Sequence, residues 1–230
     1  MTAIFNVSLD LNALQAVACA ASGEETRYYP KGVFLEFSPT HVHMTATDGH
    51  KLITLRQPYQ DGDAPRIEAD TLPAPVIVPA ELIAKLKLPK WAHYFFVTLT
   101  VDGMRLTFNC GDAIVGGTAI DATYPAYRNI LPQSVSGATS QFNASHLAVF
   151  AKARKILGAE KDNVGQIIVQ HNGESPAPVN FAWGTGYEAV GVLMPFCLKA
   201  REDEARQHIV NWAVAPLSSP MVHDETEQSA

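Results

Sequence analysis

A unit of about 65 residues recurs three times along this chain, and no other feature of the sequence restricts the fold as strongly. Each copy has the pattern of a short strand, an amphipathic helix and three further strands. Such a unit leaves one face of its sheet and one face of its helix uncovered, so two units can close a shared core. The sequence therefore predicts an α+β fold built from three strand-helix-three-strand units, followed by a C-terminal tail.

The first copy shows the pattern clearly. We expect a strand over residues 4–9 and a helix over residues 10–22, with Asp10 as the N-cap and Gly23 as the stop. The apolar side of the helix comprises Leu11, Leu14, Val17, Ala18 and Ala21. Its outward side comprises the uncharged residues Asn12, Gln15, Ala16 and Cys19. Three strands follow, over residues 33–37, 41–47 and 52–56, and an Asp48-Gly49 turn joins the last two.

The second copy begins with a strand over residues 76–78, after a proline-rich loop over residues 58–75. Pro79 is expected at the first helical position. The apolar stripe of this helix is Leu82, Ile83 and Leu86, and Pro89 ends it. Strands are expected over residues 94–101, 104–109 and 113–120, with an Asp102-Gly103 hairpin between the first two.

The third copy has Asn143 as the N-cap of a helix over residues 144–157, which Gly158 ends. Its strands are expected over residues 166–170, 179–183 and 189–194. We therefore predict a two-unit domain over residues 1–132, a third unit over residues 136–198, and a partly disordered tail over residues 199–230. One helix can form in that tail, over residues 200–213.

Composition and charge exclude several classes of function. With 17 basic and 23 acidic residues the net charge is −6, so net charge alone cannot hold nucleic acid. No apolar run approaches the length of a membrane span, and the start of the chain has no signal-peptide pattern. The three cysteines lack metal-ligand spacing and suit a reducing compartment, so a cytoplasmic location is expected. Motifs for catalysis or cofactor binding are missing from the sequence, so we expect a protein without a cofactor that is not an enzyme.

Four ordered segments in the first two copies resemble the bacterial DNA sliding clamp, the β subunit of the replicative DNA polymerase. They are Arg27-Tyr28-Tyr29 with Gly32, the run from Ala46 to Leu52, the run Val76-Ile77-Val78-Pro79, and the run from Tyr124 to Pro132. These match the family's middle domain. In the third copy, Phe142-Asn143 with Ser145 and the run from Val192 to Phe196 resemble the end of the family's last domain. The resemblance implies a DNA polymerase processivity factor of the polymerase III β type.

The resemblance also implies a hydrophobic pocket for short peptides of polymerases and other partner proteins. By this resemblance, the residues that line the pocket are Thr47, Gly49, His50, Lys51, Leu52, Pro125, Ile130, Val192, Leu193, Met194, Pro195 and Phe196. Apolar, adaptable side chains with a few polar groups suit a peptide groove. The alternative interpretation is that these residues form ordinary core and interdomain packing.

A surface for double-stranded DNA is the second site. Lysines on or after the second and third helices could meet phosphates loosely without reading bases, and the loop around Tyr28 matches a family loop that touches DNA. The expected DNA-contacting residues are Arg27, Tyr28, Tyr29, Lys85, Lys87, Lys90, Lys152, Arg154 and Lys155. The alternatives are simple solvated faces for the lysines and packing for the tyrosines.

The count of three units leaves the assembly open. Family clamps form rings of six two-unit domains, so a homo-oligomer and a closed ring are both open questions for three units. One alternative function is a clamp-like peptide-binding module that does not encircle DNA and modulates clamp partners. Another is a metal-dependent enzyme, based only on the pair His41 and His43, which lacks a third ligand.

The third unit has no partner unit in the sequence, so we expect the apolar face of its helix to need a cover. That face contains Leu147, Phe150 and Leu157. The same face of a second chain could cover it. The sequence favours the tail instead, through Ile209, Val210 and Trp212.

Overall fold

The computed structural model describes residues 4–23, 30–59, 72–87, 89, 96–158 and 166–196. The strands are β1 (Ile4–Asp10), β2 (Gly32–Phe37), β3 (His41–Thr47), β4 (Lys51–Pro58), β5 (Val76–Pro79), β6 (Phe96–Asp102), β7 (Arg105–Asn109), β8 (Ile114–Thr118), β9 (Ile168–Val169), β10 (Ala177–Asn180) and β11 (Glu188–Leu193). The helices are α1 (Leu11–Ala18), α2 (Ala80–Lys85) and α3 (Ala144–Ile156), and a 3-10 turn covers Tyr127–Ile130.

The first two units interlock by exchanging their first strands. One antiparallel sheet has the order β1-β6-β7-β8, so the first strand of unit one completes the sheet of unit two. The other sheet begins β5-β2-β3-β4, so the first strand of unit two completes the sheet of unit one. This exchange creates the shared core expected of paired units, and the α+β prediction is confirmed.

The third unit continues the second sheet. Its last strand, β11, pairs antiparallel with β4 from Glu188 opposite Arg56 to Leu193 opposite Lys51, and β10 and β9 follow. Helix α3 packs against α1 and β11. Phe150 is fully buried there, with its ring 5.6 Å from that of Phe181, and Leu157 is buried too. The expectation of an uncovered apolar face on α3 is therefore wrong for these two residues.

The capping residues in the sequence predicted where helices α1 and α3 begin. The Asp10 carboxylate accepts a hydrogen bond from the Ala13 N–H at 3.0 Å, and the Asn143 side chain accepts one from the Ser145 N–H at 2.9 Å. Gly158 follows α3 with φ +78°, the left-handed conformation expected of a helix stop. Both N-cap predictions and the Gly158 stop are confirmed.

Several predicted boundaries are wrong. Helix α1 ends at Ala18 rather than near Gly23, because the next three N–H groups bond to carbonyls three residues back and tighten the turn. Pro79 is the N-cap of α2 and not its first helical residue. On α1, Ala16 is fully buried instead of facing outward. The strand expected over residues 179–183 is Ala177–Asn180 instead, because Ala182 accepts the hydrogen bond of a turn at Thr185.

Most of the core lies between the sheets and the three helices. It includes Leu14 and Val17 of α1, Leu99 of β6 and Phe108 of β7, all with no exposed surface. The larger sheet carries a second, smaller apolar cluster on its opposite face. That outer cluster contains three of the residues expected in the peptide pocket, Leu52, Ile130 and Val192. The division into domains at residues 132 and 136 stays a prediction, and the tail over residues 199–230 lies outside the described residues.

Candidate functional site

The outer face of the β4–β11 pair carries an apolar floor. Because side chains alternate along a strand, Leu52 points to the outer face while Ile53 points to the main core. Leu52 stands between Thr47 of β3 and Val192 of β11 in the sheet register. Leu52 and Val192 are both buried, and they pack with Ile77, Tyr124 and Tyr127. Strand pairing between units one and three thus assembles this floor from residues 140 positions apart in the chain.

The segment after β8 crosses this face and closes one side of the floor. The Tyr124 ring stacks on Phe34 with centroids 4.5 Å apart, and its hydroxyl donates to the Thr45 carbonyl at 3.1 Å. Ile130 and Leu131, both half-buried, pack against the same cluster. The stacked tyrosine therefore fixes the position of the wall that contains Ile130.

An ion pair anchors the same segment to the sheet. The Tyr127 hydroxyl donates to Glu36 Oε2 at 2.6 Å, and Arg128 donates to both Glu36 oxygens at 2.8 Å. Burial alone would raise the pKa of Glu36, but the hydrogen bonds from Arg128 and Tyr127 outweigh it and hold the pKa below its usual value. The bidentate geometry restricts the orientation of Arg128 and with it the 3-10 turn.

The β3–β4 turn forms the next wall, and its shape depends on side-chain hydrogen bonds. The Thr47 hydroxyl donates to the Lys51 carbonyl at 2.7 Å and accepts the Gly49 N–H at 3.1 Å. Asp48 Oδ1 accepts the N–H groups of His50 and Lys51, both at 3.0 Å, and its carboxylate pairs with the Lys51 ammonium. Burial would raise the pKa of Asp48, but the hydrogen bonds from Lys51 and His50 lower it. Gly49 has φ +90°, which explains why a glycine occupies this position.

This turn contacts the third unit directly. The Met194 N–H donates to the His50 carbonyl at 2.8 Å, and the His50 ring stacks on His146 of α3 with centroids 5.2 Å apart. Burial lowers the pKa of His146, and nearby Lys51 and His50 lower it further, against the opposing effect of Asp48. The Phe196 N–H donates to the Gln141 carbonyl at 2.7 Å. These contacts hold the segment after β11 beside the turn.

The rim of this site is more accessible than its floor. Pro125, Ile130, Met194 and Pro195 are half-buried, and Phe196 is 58% exposed. We name the floor and rim together, Leu52, Pro125, Ile130, Val192, Met194, Pro195 and Phe196, the junction groove. Leu193 does not belong to it, because strand alternation turns that side chain into the main core, where it has no exposed surface. The expectation that Leu193 lines the groove is corrected accordingly.

The basic residues of the second candidate site lie on the helices. Lys85 and Lys87 are exposed on and after α2, and Lys152 and Lys155 are exposed on α3. A cavity of about 250 Å³ lies between the three helices, and Lys152 lines it together with Gln15, Ala18, Cys19, Ala80, Ile83, Ala84 and Ile156. Burial raises the pKa of the Cys19 thiol, although nearby Lys152 lowers it. All four lysines are thus exposed on or just after a helix.

The expectation that Arg154 contacts DNA is wrong. Only 2% of its surface is exposed, and its Nη1 donates to the carbonyls of Phe181 and Trp183, each at 2.8 Å. It therefore ties α3 to the turn after β10 and cannot contact DNA from this position. Arg27, Tyr28, Tyr29 and Lys90, also expected to touch DNA, lie outside the described residues.

The rings of His41 and His43 lie 6.4 Å apart on β3. Across the residues that the structure describes, there is no group of three or more His, Cys, Asp or Glu side chains that could hold a metal ion. Within that same part of the chain, no helix is long and apolar enough to cross a membrane.

Sequence reasoning missed the aromatic part of the junction groove. Tyr124 and Tyr127 lie in the run from Tyr124 to Pro132 that resembles the family, and their three-residue spacing was the available signal. The partners Phe34 and Ile77 come from distant strands and gave no local signal. The same holds for His146, which is 96 positions from His50 in the sequence.

Comparison with known proteins shows what this chain is similar to. Residues 7–126, slightly more than half of the chain, match the family model described as DNA polymerase III beta subunit, central domain. The beta sliding clamp of Synechocystis sp. is 26% identical over 166 residues, covering 70% of this chain and 42% of that protein. The beta sliding clamp of Caulobacter vibrioides is 32% identical over 118 residues, covering 50% of this chain and 30% of that protein. The chain thus spans less than half the length of these curated relatives.

Solved structures show the same fold. The DNA polymerase III subunit beta of Pseudomonas aeruginosa superposes with a TM-score of 0.60 at 18% identity, covering 84% of this chain and 66% of the other. A sliding clamp of Bartonella birtlesii, solved bound to griselimycin, gives a TM-score of 0.58 at 19% identity, covering 85% of this chain and 66% of the other. The superposition covers far more of the chain than the family model does.

Proposed function

The chain belongs to the DNA polymerase III beta subunit family, and we propose from this that it is a non-enzymatic, sliding-clamp-like processivity factor of the cytoplasm. In this proposal it holds a DNA polymerase, or another protein with a clamp-binding peptide, close to double-stranded DNA. The partner peptide occupies the junction groove, and DNA meets the helix side only loosely.

The observation that supports the proposal is the apolar cluster on the outer face of the larger sheet, which contains Leu52 and Val192. These two residues, the floor of the junction groove, are buried, while its rim, with Met194 and Phe196, remains accessible. A floor that is already packed needs little rearrangement to receive a ligand, and a mobile thioether at the rim can adapt to it. Phe196, a large apolar side chain two residues after Met194, is 58% exposed.

The chemistry of the groove favours a short peptide with leucine and aromatic side chains. The apolar residues of the floor and rim supply the contact area for such side chains. The β3–β4 turn provides a fixed polar edge at His50, whose exposed ring could orient a glutamine or the peptide backbone. We therefore expect a glutamine followed by leucines and an aromatic residue to bind here.

DNA contact in this proposal is weak and non-specific. Lys85, Lys87, Lys152 and Lys155 are exposed on the helix side, but the chain as a whole has a net charge of −6. A few lysines on an acidic protein suit transient contact with phosphates, with little base readout.

A peptide-binding module that does not encircle DNA would use the same groove. This second candidate is proposed because the three repeat units of this chain do not divide evenly into two-unit domains. The mass of the protein in solution separates the two candidates. A stable ring supports the processivity factor, and a monomer or an open dimer supports the module.

Titration with a labelled peptide that contains the glutamine, leucine and aromatic pattern tests the groove. We expect saturable binding to the wild type and at least about tenfold weaker binding to Met194→Asp, because the new carboxylate loses hydration in an apolar groove. Met104→Asp is the matched control, since Met104 is another accessible methionine but lies beside β7 in the other sheet. Absence of binding at millimolar peptide, or equal losses in both variants, would rule out the groove.

A further inference from the structure

The outer face of the β4–β11 pair continues beyond the junction groove. Three opposite pairs of residues point to this face, in order along the two strands: Leu52 and Val192, Thr54 and Val190, Arg56 and Glu188. Only the first pair belongs to the junction groove. Because a strand rises about 3.3 Å per residue, the third pair lies about 13 Å from the first, which is about the length of four extended peptide residues.

A cleft of about 420 Å³ lies at the second and third pairs. We name it the polar cleft, and the residues that line it are His43, Thr54, Arg56, Glu188, Ala189 and Val190. Its apolar part is open to solvent, since Val190 is 36% exposed, whereas Val192 in the groove floor is 1% exposed. A ligand that lies in the junction groove can therefore extend along the same two strands into the polar cleft.

Charged side chains form a row across the sheet at this cleft. His43 of β3 stands between Glu36 of β2 and Arg56 of β4 in the sheet register, and Arg56 stands opposite Glu188 of β11. At one end of the row, Arg128 donates to both oxygens of Glu36. At the other end, Arg56 pairs with Glu188. When His43 is neutral, the two ion pairs leave this row without net charge.

The unused hydrogen-bonding groups of the row favour an anion. Arg56 engages Glu188 through Nε. In the part of the chain that the structure describes, the two Nη groups of Arg56 donate to no other residue, and the His43 ring makes no hydrogen bond. Glu188 keeps one unused oxygen, so unused donors outnumber unused acceptors among these three side chains. A guanidinium fork matches a carboxylate through two parallel hydrogen bonds, and the side chain of Arg56 is 52% exposed and accessible.

We propose that the polar cleft extends the junction groove and binds an acidic side chain that follows the aromatic residue of the partner peptide. This inference rests on the proposed function, in which the peptide lies in the junction groove with its glutamine at His50. His50 belongs to the turn before β4, and Arg56 lies near the far end of β4. The residues after the aromatic one are therefore those that reach Arg56, at about the fourth position.

His43 makes the acidic preference depend on pH. The charged and titratable groups around its ring are His41 on the same strand, Glu36 on β2, Arg56 on β4, Arg128 on the 3-10 turn and Glu188 on β11. Burial lowers the pKa of His43, and Arg128, His41 and Arg56 lower it further, against the opposing effect of Glu36. The ring is therefore neutral at pH 7.5 in the free protein. A bound carboxylate favours the protonated ring, so acidic binding should strengthen as the pH falls.

Titration with two labelled peptides tests the polar cleft. Both contain the glutamine, leucine and aromatic pattern, and they differ only at the fourth position after the aromatic residue, which is glutamate in one and glutamine in the other. We expect the glutamate peptide to bind about three- to fivefold more tightly at pH 7.5. The ratio of the two affinities should be larger at pH 6.0. Taking the ratio cancels any effect of pH on the junction groove itself.

Two variants should move this ratio in opposite directions. Arg56→Gln removes the guanidinium, so the ratio should fall to about one or below. Glu188→Gln removes the carboxylate that competes for Arg56, so the ratio should rise. Arg105→Gln is the matched control, because it removes an exposed positive charge from β7 in the other sheet and should leave the ratio unchanged.

The outcomes separate this inference from the proposed function. Equal affinities of the wild type for the two peptides would overturn the polar cleft and leave the junction groove in place. A preference for glutamate that Arg56→Gln retains, or that Arg105→Gln reduces equally, would overturn it as well. Absence of binding by both peptides would overturn the proposed function, and the polar cleft with it.

Discussion

Single residues determine how the third unit is attached, and Arg154 is the clearest case. A helical pattern placed it near the basic face of α3, but its guanidinium is buried and donates to the carbonyls of Phe181 and Trp183. Those acceptors lie in a turn 27 and 29 positions further along the chain, so no local pattern could reveal them. Its neighbours Lys152 and Lys155 followed the pattern and are exposed.

Arg154→Ala should therefore lower the free energy of unfolding by roughly 2–4 kcal/mol, because two buried carbonyls lose a charged donor. Lys155→Ala, one position away and exposed, should change it by no more than about 0.5 kcal/mol. Urea denaturation of the two variants measures both values. Equal effects would mean that Arg154 is solvated and that its burial is not maintained in solution.

Gly191 tests the packing of β11 against α3 in the same way. A Cβ there would lie 2.3 Å from the Phe150 ring, and that ring is fully buried and has little room to move. We expect Gly191→Ala to destabilise the protein by about 1–3 kcal/mol through overpacking. Gly23→Ala is the control, since no atom lies within 4 Å of the added group. Similar urea midpoints for the two variants would contradict the packing described for the third unit.

At the scale of elements, the sequence predicted what is decided locally. Asp10 and Asn143 cap their helices, and the strand His41–Thr47 has the expected bounds, because capping and alternation act within a few residues. The resemblance supplied Val192 and Leu52 as members of one site. Their register in adjacent strands depends on pairing between distant segments, which local patterns do not encode.

Two histidines should make stability depend on pH: His146 of α3, which stacks on His50 of the β3–β4 turn, and His43 of β3. Burial lowers the pKa of both His146 and His43 below the usual 6.5, so the folded state binds protons less readily than the unfolded chain. Stability is therefore fully present above pH 6.5 and declines as the pH falls through that value. The pKa values of Glu36 and Asp48 are also lowered, but these carboxylates affect stability only near and below their usual range around pH 4.

Thermal unfolding of the wild type between pH 7.5 and 5.5 should show a falling Tm. His146→Gln removes one of the two histidines whose pKa is lowered, so its Tm should fall less over the same interval. A variant with the same pH dependence as the wild type would show that the stacked pair with His50 carries no protonation penalty.

At the scale of the whole molecule, the helix side and the outer sheet face have different expected roles. Exposed lysines lie on the helix side, whereas the junction groove lies on the opposite face of the larger sheet. Neutralising Lys152 and Lys155 together should lower the slope of log affinity for duplex DNA against log salt by up to about two. Arg56→Gln, an exposed charge on the outer face, should leave the slope unchanged. Equal slopes in all three proteins would mean that DNA does not meet the helices.

The central claim is that a partner peptide binds the junction groove. Methyl NMR spectra, recorded while the glutamine–leucine–aromatic peptide is added, test it most directly, because they report the binding position residue by residue. The account predicts that the methyl signals of Met194, Ile130, Val192 and Leu52 shift together and saturate. Met104, which lines a separate cleft of about 350 Å³ near Phe5 and Ile120, should not respond. Saturating shifts at Met104 with none at Met194 and Ile130 would contradict the account.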